Sequence, residues 1–167
     1  GDYAITMSLV ETDRGGPVGE TVQLDRLEVE ALEPTTPLEV RLGNVIAIRG
    51  YDLVETDDSV ALTLYWQALE AMETSYKTFV HLVDVDSGEI VAQKDTVPRE
   101  WTYPTTEWEA GEIVEDEVTL SLEGVPAGDY RLSVGSYAAE TGERLPARNE
   151  DGTRYPGDAV DLGILRP

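Results

Sequence analysis

The sequence predicts an all-β protein, an antiparallel β-sandwich of immunoglobulin/fibronectin-like or jelly-roll-like class. Three observations carry this prediction. Apolar residues alternate with a period of two rather than 3.6, the alternating runs are short and punctuated by Gly, Pro, Asn and Asp, and helical spacing is confined to one brief stretch. The chain has 167 residues, 41% of them hydrophobic. A domain of about 150 residues hides around 70% of its unfolded surface, so this length and composition suffice for one core.

Strands are predicted at residues 5–9 and 22–29, with Arg14-Gly15-Gly16-Pro17 as the turn signal between them, and then at 39–42 and 45–51. The clearest strand is 60–66, where Val60, Leu62, Leu64 and Trp66 fall on one face and so face a core. Residues 76–83 and 90–93 read as a hairpin about Asp84-Val85-Asp86-Ser87-Gly88-Glu89. Strands follow at 114–122, 130–137 and 160–165, set apart by Val125-Pro126-Ala127-Gly128, Glu140-Thr141-Gly142 and Glu150-Asp151-Gly152. One helical candidate remains, residues 67–74, with Leu69 and Met72 three apart. The Gly128-Asp129-Tyr130 turn entering a strand predicts a tyrosine corner, with Tyr130 buried and its hydroxyl bonded back to the upstream backbone.

Two ends of the chain look alike. Gly1-Asp2-Tyr3-Ala4-Ile5-Thr6-Met7 parallels Gly128-Asp129-Tyr130-Arg131-Leu132-Ser133-Val134, and Gly19-Glu20-Thr21-Val22-Gln23-Leu24 parallels Gly157-Asp158-Ala159-Val160-Asp161-Leu162. This suggests an N-terminal hairpin, residues 1–33, forming the tail of a preceding related module, and a sandwich domain at residues 34–167. Convergence of hairpins within one sandwich is the competing explanation. On the first reading, Ile5, Met7 and Leu9 present an apolar face that must pack somewhere, and dimerisation through this hairpin is an expected consequence. The opening residues have neither the basic nor the apolar region of a signal peptide, so any targeting segment is expected outside this sequence.

Twelve basic and 34 acidic residues leave a net charge of −22. That balance excludes a nucleic-acid partner, because neutralising roughly 6–10 phosphates requires clustered Lys and Arg. It equally excludes a polybasic membrane-surface role. Membrane insertion is not expected either: the apolar run at 60–68 is interrupted by Thr63 and Gln67 and falls short of the roughly 20 residues a spanning helix needs. Cysteine is absent, which removes disulfides and thiolate chemistry.

Catalytic signatures are missing. His81 is the sole histidine and there is no Gly-x-Ser-x-Gly elbow, so no Ser-His-Asp triad or multi-histidine metal site can be assembled from the pattern. Acid pairs at glycosidase spacing will arise by chance among 34 carboxylates, which gives a glycoside hydrolase no warrant. An enzyme is therefore not expected, nor a cofactor. Asp84 and Asp86 are candidate calcium ligands, because alternate acids before a Gly can gather hard oxygens, although an ordinary hairpin turn uses the same residues and the EF-hand spacing is not met. Trp101, Tyr103 and Trp108 are candidate ligand contacts: they sit in a Pro-stiffened loop beside carboxylates, as in sugar-binding modules whose rings stack on pyranose faces. Closure of the open end of a sandwich by large aromatic rings explains the same trio.

Taken in order, Gly50-Tyr51-Asp52-Leu53, Leu64-Tyr65-Trp66-Gln67-Ala68, Tyr76-Lys77-Thr78-Phe79-Val80-His81-Leu82, Val91-Ala92-Gln93-Lys94-Asp95, Pro104-Thr105-Thr106-Glu107-Trp108-Glu109-Ala110-Gly111-Glu112 and Arg144-Leu145-Pro146 resemble the β-sandwich modules of large bacterial membrane proteins. Such modules follow a multi-pass region similar to protein-O-mannosyltransferase-type glycosyltransferases. The resemblance implies an extracytoplasmic accessory domain of a larger membrane-anchored protein. It implies contact with a glycan or polypeptide partner or, alternatively, a structural spacer in a tandem array. It carries over no catalytic residue.

Overall fold

The computed structural model describes residues 33–167 together with one short strand pair, β1 (Thr6–Met7) and β2 (Val22–Gln23), which are antiparallel with Thr6 opposite Gln23. The chain divides into two compact units, Gly1–Leu32 and Glu33–Pro167. The remainder of the strands expected at 5–9 and 22–29, and the apolar face assigned to Ile5 and Leu9, lie outside the described residues.

The larger unit is a sandwich of two antiparallel sheets. Its strands are β3 (Thr36–Leu42), β4 (Ile46–Glu55), β5 (Ser59–Ala68), β6 (Tyr76–Asp84), β7 (Ile90–Thr96), β8 (Ile113–Ser121), β9 (Tyr130–Ala138), β10 (Ala147–Asn149) and β11 (Val160–Leu165). One sheet has the order β10-β3-β4-β5-β8 and the other β11-β9-β6-β7. The chain runs up and down through β3, β4 and β5, crosses to β6 and β7, returns to place β8 beside β5, and crosses again to place β9 beside β6. This Greek-key wiring matches the A-B-E and G-F-C layers of immunoglobulin-type sandwiches, with β4-β5-β8 as one and β11-β9-β6 as the other. Of the two classes the sequence allows, the jelly roll is set aside.

Alternation builds the core. Val60, Leu62, Leu64 and Trp66 are each at most 1% exposed, and they meet Val80 and Leu82 of β6 and Leu132 and Val134 of β9 in a single cluster. Truncating a side chain such as Trp66 at this depth costs about 3–5 kcal/mol. The hairpin predicted from Asp84 to Glu89 forms, with Thr78 opposite Thr96 and Val83 opposite Ile90. Tyr130 makes the predicted corner: it is 2% exposed and its hydroxyl donates to Pro126 O at 2.7 Å.

One expected element is absent. Residues 67–74 are not helical; Gln67 and Ala68 complete β5, the Leu69 amide donates to Val45 O at 2.8 Å, and Met72 is buried. Two apolar residues in a single turn are too few to nucleate a helix, and here the chain uses them to cross between the layers. Strand β10 had no sequence signal. It forms because β3 is otherwise an edge, and Ala147 to Asn149 pair with Leu42 to Val40.

Candidate functional site

The link between β7 and β8, residues 97–112, closes the flank where the edges of the two sheets come together. Its first part is a left-handed turn. Arg99 (φ 54°, ψ 48°), Glu100 (φ 51°, ψ 55°) and Trp101 (φ 70°) follow one another with positive φ, and none is glycine. This conformation costs roughly 1–2 kcal/mol per L-residue, so the surroundings must hold it.

Asp116 of β8 is one of those surroundings. The alternation of β8 sends Val114, Asp116, Val118 and Leu120 inward, so a carboxylate sits fully buried among apolar neighbours. Its Oδ1 accepts the Arg99 amide at 2.7 Å and its Oδ2 the Trp66 indole N–H at 3.3 Å. Thr78 Oγ1 lies 3.4 Å from the same Oδ2 and 3.3 Å from Thr96 O. Burial pushes the Asp116 carboxyl above its ordinary value, against the lowering effect of the hydrogen bonds that favour its ionised form.

The three candidate aromatic residues are brought into one loop but not into one role. Trp101 is 59% exposed, with Lys77 Nζ 4.8 Å from its ring centroid. Tyr103 is half-buried; the Arg99 guanidinium lies 4.9 Å from its ring and its hydroxyl donates to Glu112 Oε1 at 2.9 Å, which pushes the phenol above its ordinary value. Trp108 departs from the expected contact role. At 2% exposure it belongs to the core, its indole N–H donates to Tyr103 O at 3.3 Å, and it has no face to offer a ligand. The trio is thus divided: Trp108 packs into the sandwich and Trp101 stands out from it.

Beside the turn lies an open depression of about 580 Å³ lined by Arg99, Glu100, Thr102, Glu115, Glu117 and Thr119; the Trp101 ring is not part of this lining. The chain's two lysines both flank the turn, Lys77 at the Trp101 ring and Lys94 with its Nζ 3.0 Å from Glu100 Oε1. Local sequence could not separate Trp101 from Trp108. Asp116 was more accessible to sequence reasoning, since an acid falls there on the inward phase of an alternating strand.

Asp84 and Asp86 sit at the β6–β7 turn. Asp84 Oδ1 accepts the Ser87 amide at 2.7 Å and the Ser87 hydroxyl at 2.8 Å, which hold its carboxyl below the ordinary range, so the turn itself accounts for this residue. Among the described residues no group of three or more His, Cys, Asp or Glu side chains is placed to hold a metal ion.

A second polar cluster occupies the outer face of the β11-β9-β6-β7 sheet. His81 Nε2 lies 3.3 Å from Asp95 Oδ1, and Tyr137 donates to Asp95 Oδ2 at 3.0 Å. Burial, the leading cause, pulls the imidazole below its ordinary value, which favours the neutral ring. The Phe79 ring packs 4.7 Å from His81 and carries the Arg144 guanidinium at 4.3 Å. Ser133 is the cross-strand neighbour of His81, so the three residue types of a triad share a face. They do not act as one: the serine makes no hydrogen bond to the imidazole, and Asp95 is shared with Tyr137.

Among the described residues no helix is long and apolar enough to cross a membrane. Comparison with protein-family models, with curated proteins and with solved structures finds no match to this chain.

Proposed function

We propose that the chain is a non-catalytic accessory module that holds a glycan against Trp101, outside the cytoplasm and as part of a larger membrane-anchored, glycosyltransferase-like protein. The observation that carries this reading is the Trp101 ring, 59% exposed on a turn of three positive-φ residues. Strained backbone is retained where something over-determines it, and here it lifts a large apolar ring into solvent beside hydrogen-bonding groups. Thr102, Glu115 and Glu117 around the depression supply acceptors for sugar hydroxyls. The ordered succession of residues from Gly50 to Pro146 that resembles modules following protein-O-mannosyltransferase-type regions supports the setting.

Charge narrows the ligand class. A net charge of −22 repels uronic and sialic acids, so neutral and amino sugars are the expected ligands. A glycan array probed with the domain and with its Trp101→Ala variant tests the reading. Retention of a defined neutral or amino sugar by the parent, lost in the variant without a change in melting temperature, is the expected result. Absence of retention by the parent on the whole array would overturn it and leave the spacer role in a tandem array.

A further inference from the structure

We propose that Asp116, in the interior of the sandwich, is the positioning residue for Trp101, acting through its hydrogen bond to the Arg99 backbone. The inference rests on the reading of Trp101 as the contact ring and adds to it the device that aims that ring.

Hydrogen bonds within the turn cannot anchor it. Trp101 N to Val97 O (2.9 Å), Thr102 N to Arg99 O (3.2 Å), Tyr103 N to Pro98 O (3.1 Å) and Thr102 Oγ1 to Arg99 O (2.6 Å) all move with the segment. Besides Lys77 Nζ at the Trp101 ring and the packing of buried Pro98, three hydrogen bonds or ion pairs reach outward. The Arg99 side chain donates to Glu115 O at 3.3 Å and Lys94 meets Glu100 at 3.0 Å, but both are exposed and use long side chains, which makes them weak. The third is the 2.7 Å bond from the Arg99 amide to Asp116 Oδ1, charge-assisted, part-buried and made to a carboxylate that is itself fully buried.

The choice of an acid at position 116 follows from its neighbours. An amide N–H and an indole N–H converge on it, and a Thr hydroxyl adjoins it, so a group that only accepts fits where an amide side chain would set donor against donor at Trp66. Val114, Val118 and Leu120 show what the inward positions of β8 otherwise hold. A carboxylate replaces a hydrophobic residue at the one inward position that lies under the left-handed turn.

The test is an Asp116→Val variant, which places at 116 the residue that the inward positions 114 and 118 of β8 already hold and removes the acceptor, followed by NMR in the absence of sugar. Positive φ gives a strong intraresidue amide-to-Hα contact at residues 99, 100 and 101. We expect these contacts to weaken in the variant and Arg99 amide exchange to accelerate by roughly tenfold or more, the loss of one part-buried hydrogen bond to a charged group, while the contacts of Trp66 and Trp108 in the core persist. An unchanged left-handed turn in a folded variant overturns the proposal. If the variant does not fold, the parent protein decides: an Arg99 amide that exchanges like an unprotected one overturns the proposal, and a protected one supports it. None of these readouts involves a ligand, so a turn that depends on Asp116 in a domain that retains no sugar sinks only the glycan reading.

Discussion

Tyr65 donates its phenolic hydrogen to Asp52 Oδ2 at 2.7 Å, and the other oxygen of that carboxylate accepts the Thr35 amide at 2.6 Å, tying β5 to β4 and to the start of β3. The hydrogen bond to Asp52, ahead of burial, pushes the Tyr65 phenol up to about 12. A raised folded value means stabilisation that is whole below the unfolded value of about 10 and is lost as pH climbs through the folded one. Tyr65→Phe should therefore lower stability by about 0.5–1.5 kcal/mol at neutral pH. The gap between parent and variant in denaturant melts should close between pH 10 and 12; a gap that stays constant over that window contradicts the assignment.

Trp101 and Trp108 stand seven positions apart in one loop and should answer truncation oppositely. Trp108→Ala opens a cavity under the β7–β8 link and should cost about 3–5 kcal/mol, whereas Trp101→Ala should change stability by no more than about 0.5 kcal/mol. Thermal melts of the two variants decide this. Equal losses would show that Trp101 is a structural plug after all.

Gly135 lies directly beneath the Phe79 ring, its cross-strand neighbour on β6. A methyl group built there would overlap Phe79 Cε1 at 2.6 Å and approach Asp158 O at 2.9 Å. Gly135→Ala should destabilise by about 1–3 kcal/mol through overpacking. Combining it with Phe79→Leu should recover part of that loss, because the two residues share one space, and a double-mutant cycle reads the coupling. Strict additivity would mean that the ring does not set the requirement for glycine.

Much of this architecture was legible because the local pattern and the global requirement agree. At 60–66 the apolar phase coincides with the inward face, and at 160–165 the predicted bounds are the observed ones. Tyr130 declared itself through a turn that needs a partner for its hydroxyl. The exceptions have distant causes. Strand β10 is three residues long and owes its existence to the free edge of β3. The left-handed turn contradicts the local preference of Arg, Glu and Trp, and the carboxylate that holds Arg99 comes from the next strand. Trp101 and Trp108 differ in exposure because of where that turn aims them, which no window of neighbouring residues encodes.

Asp116 makes stability depend on pH in the direction opposite to a salt-bridged acid. Burial, its leading cause, raises its folded value above the ordinary carboxylate range, so its contribution is fully present below about pH 3.9 and is lost as pH rises through the folded value. Asp158 behaves the other way. Paired bidentately with Arg154 at 2.7 and 2.6 Å, it has a lowered value and supports the fold above the ordinary range, losing that support on acidification. Acid melts of the parent alone mix these contributions with those of the other carboxylates. Comparing parent with Asp116→Asn removes the common part, since every other acid titrates in both proteins. The difference in melting temperature, parent minus variant, should grow as pH is lowered from 7 towards 4. A difference that shrinks on acidification would mean that the hydrogen bonds to the ionised carboxylate outweigh its burial.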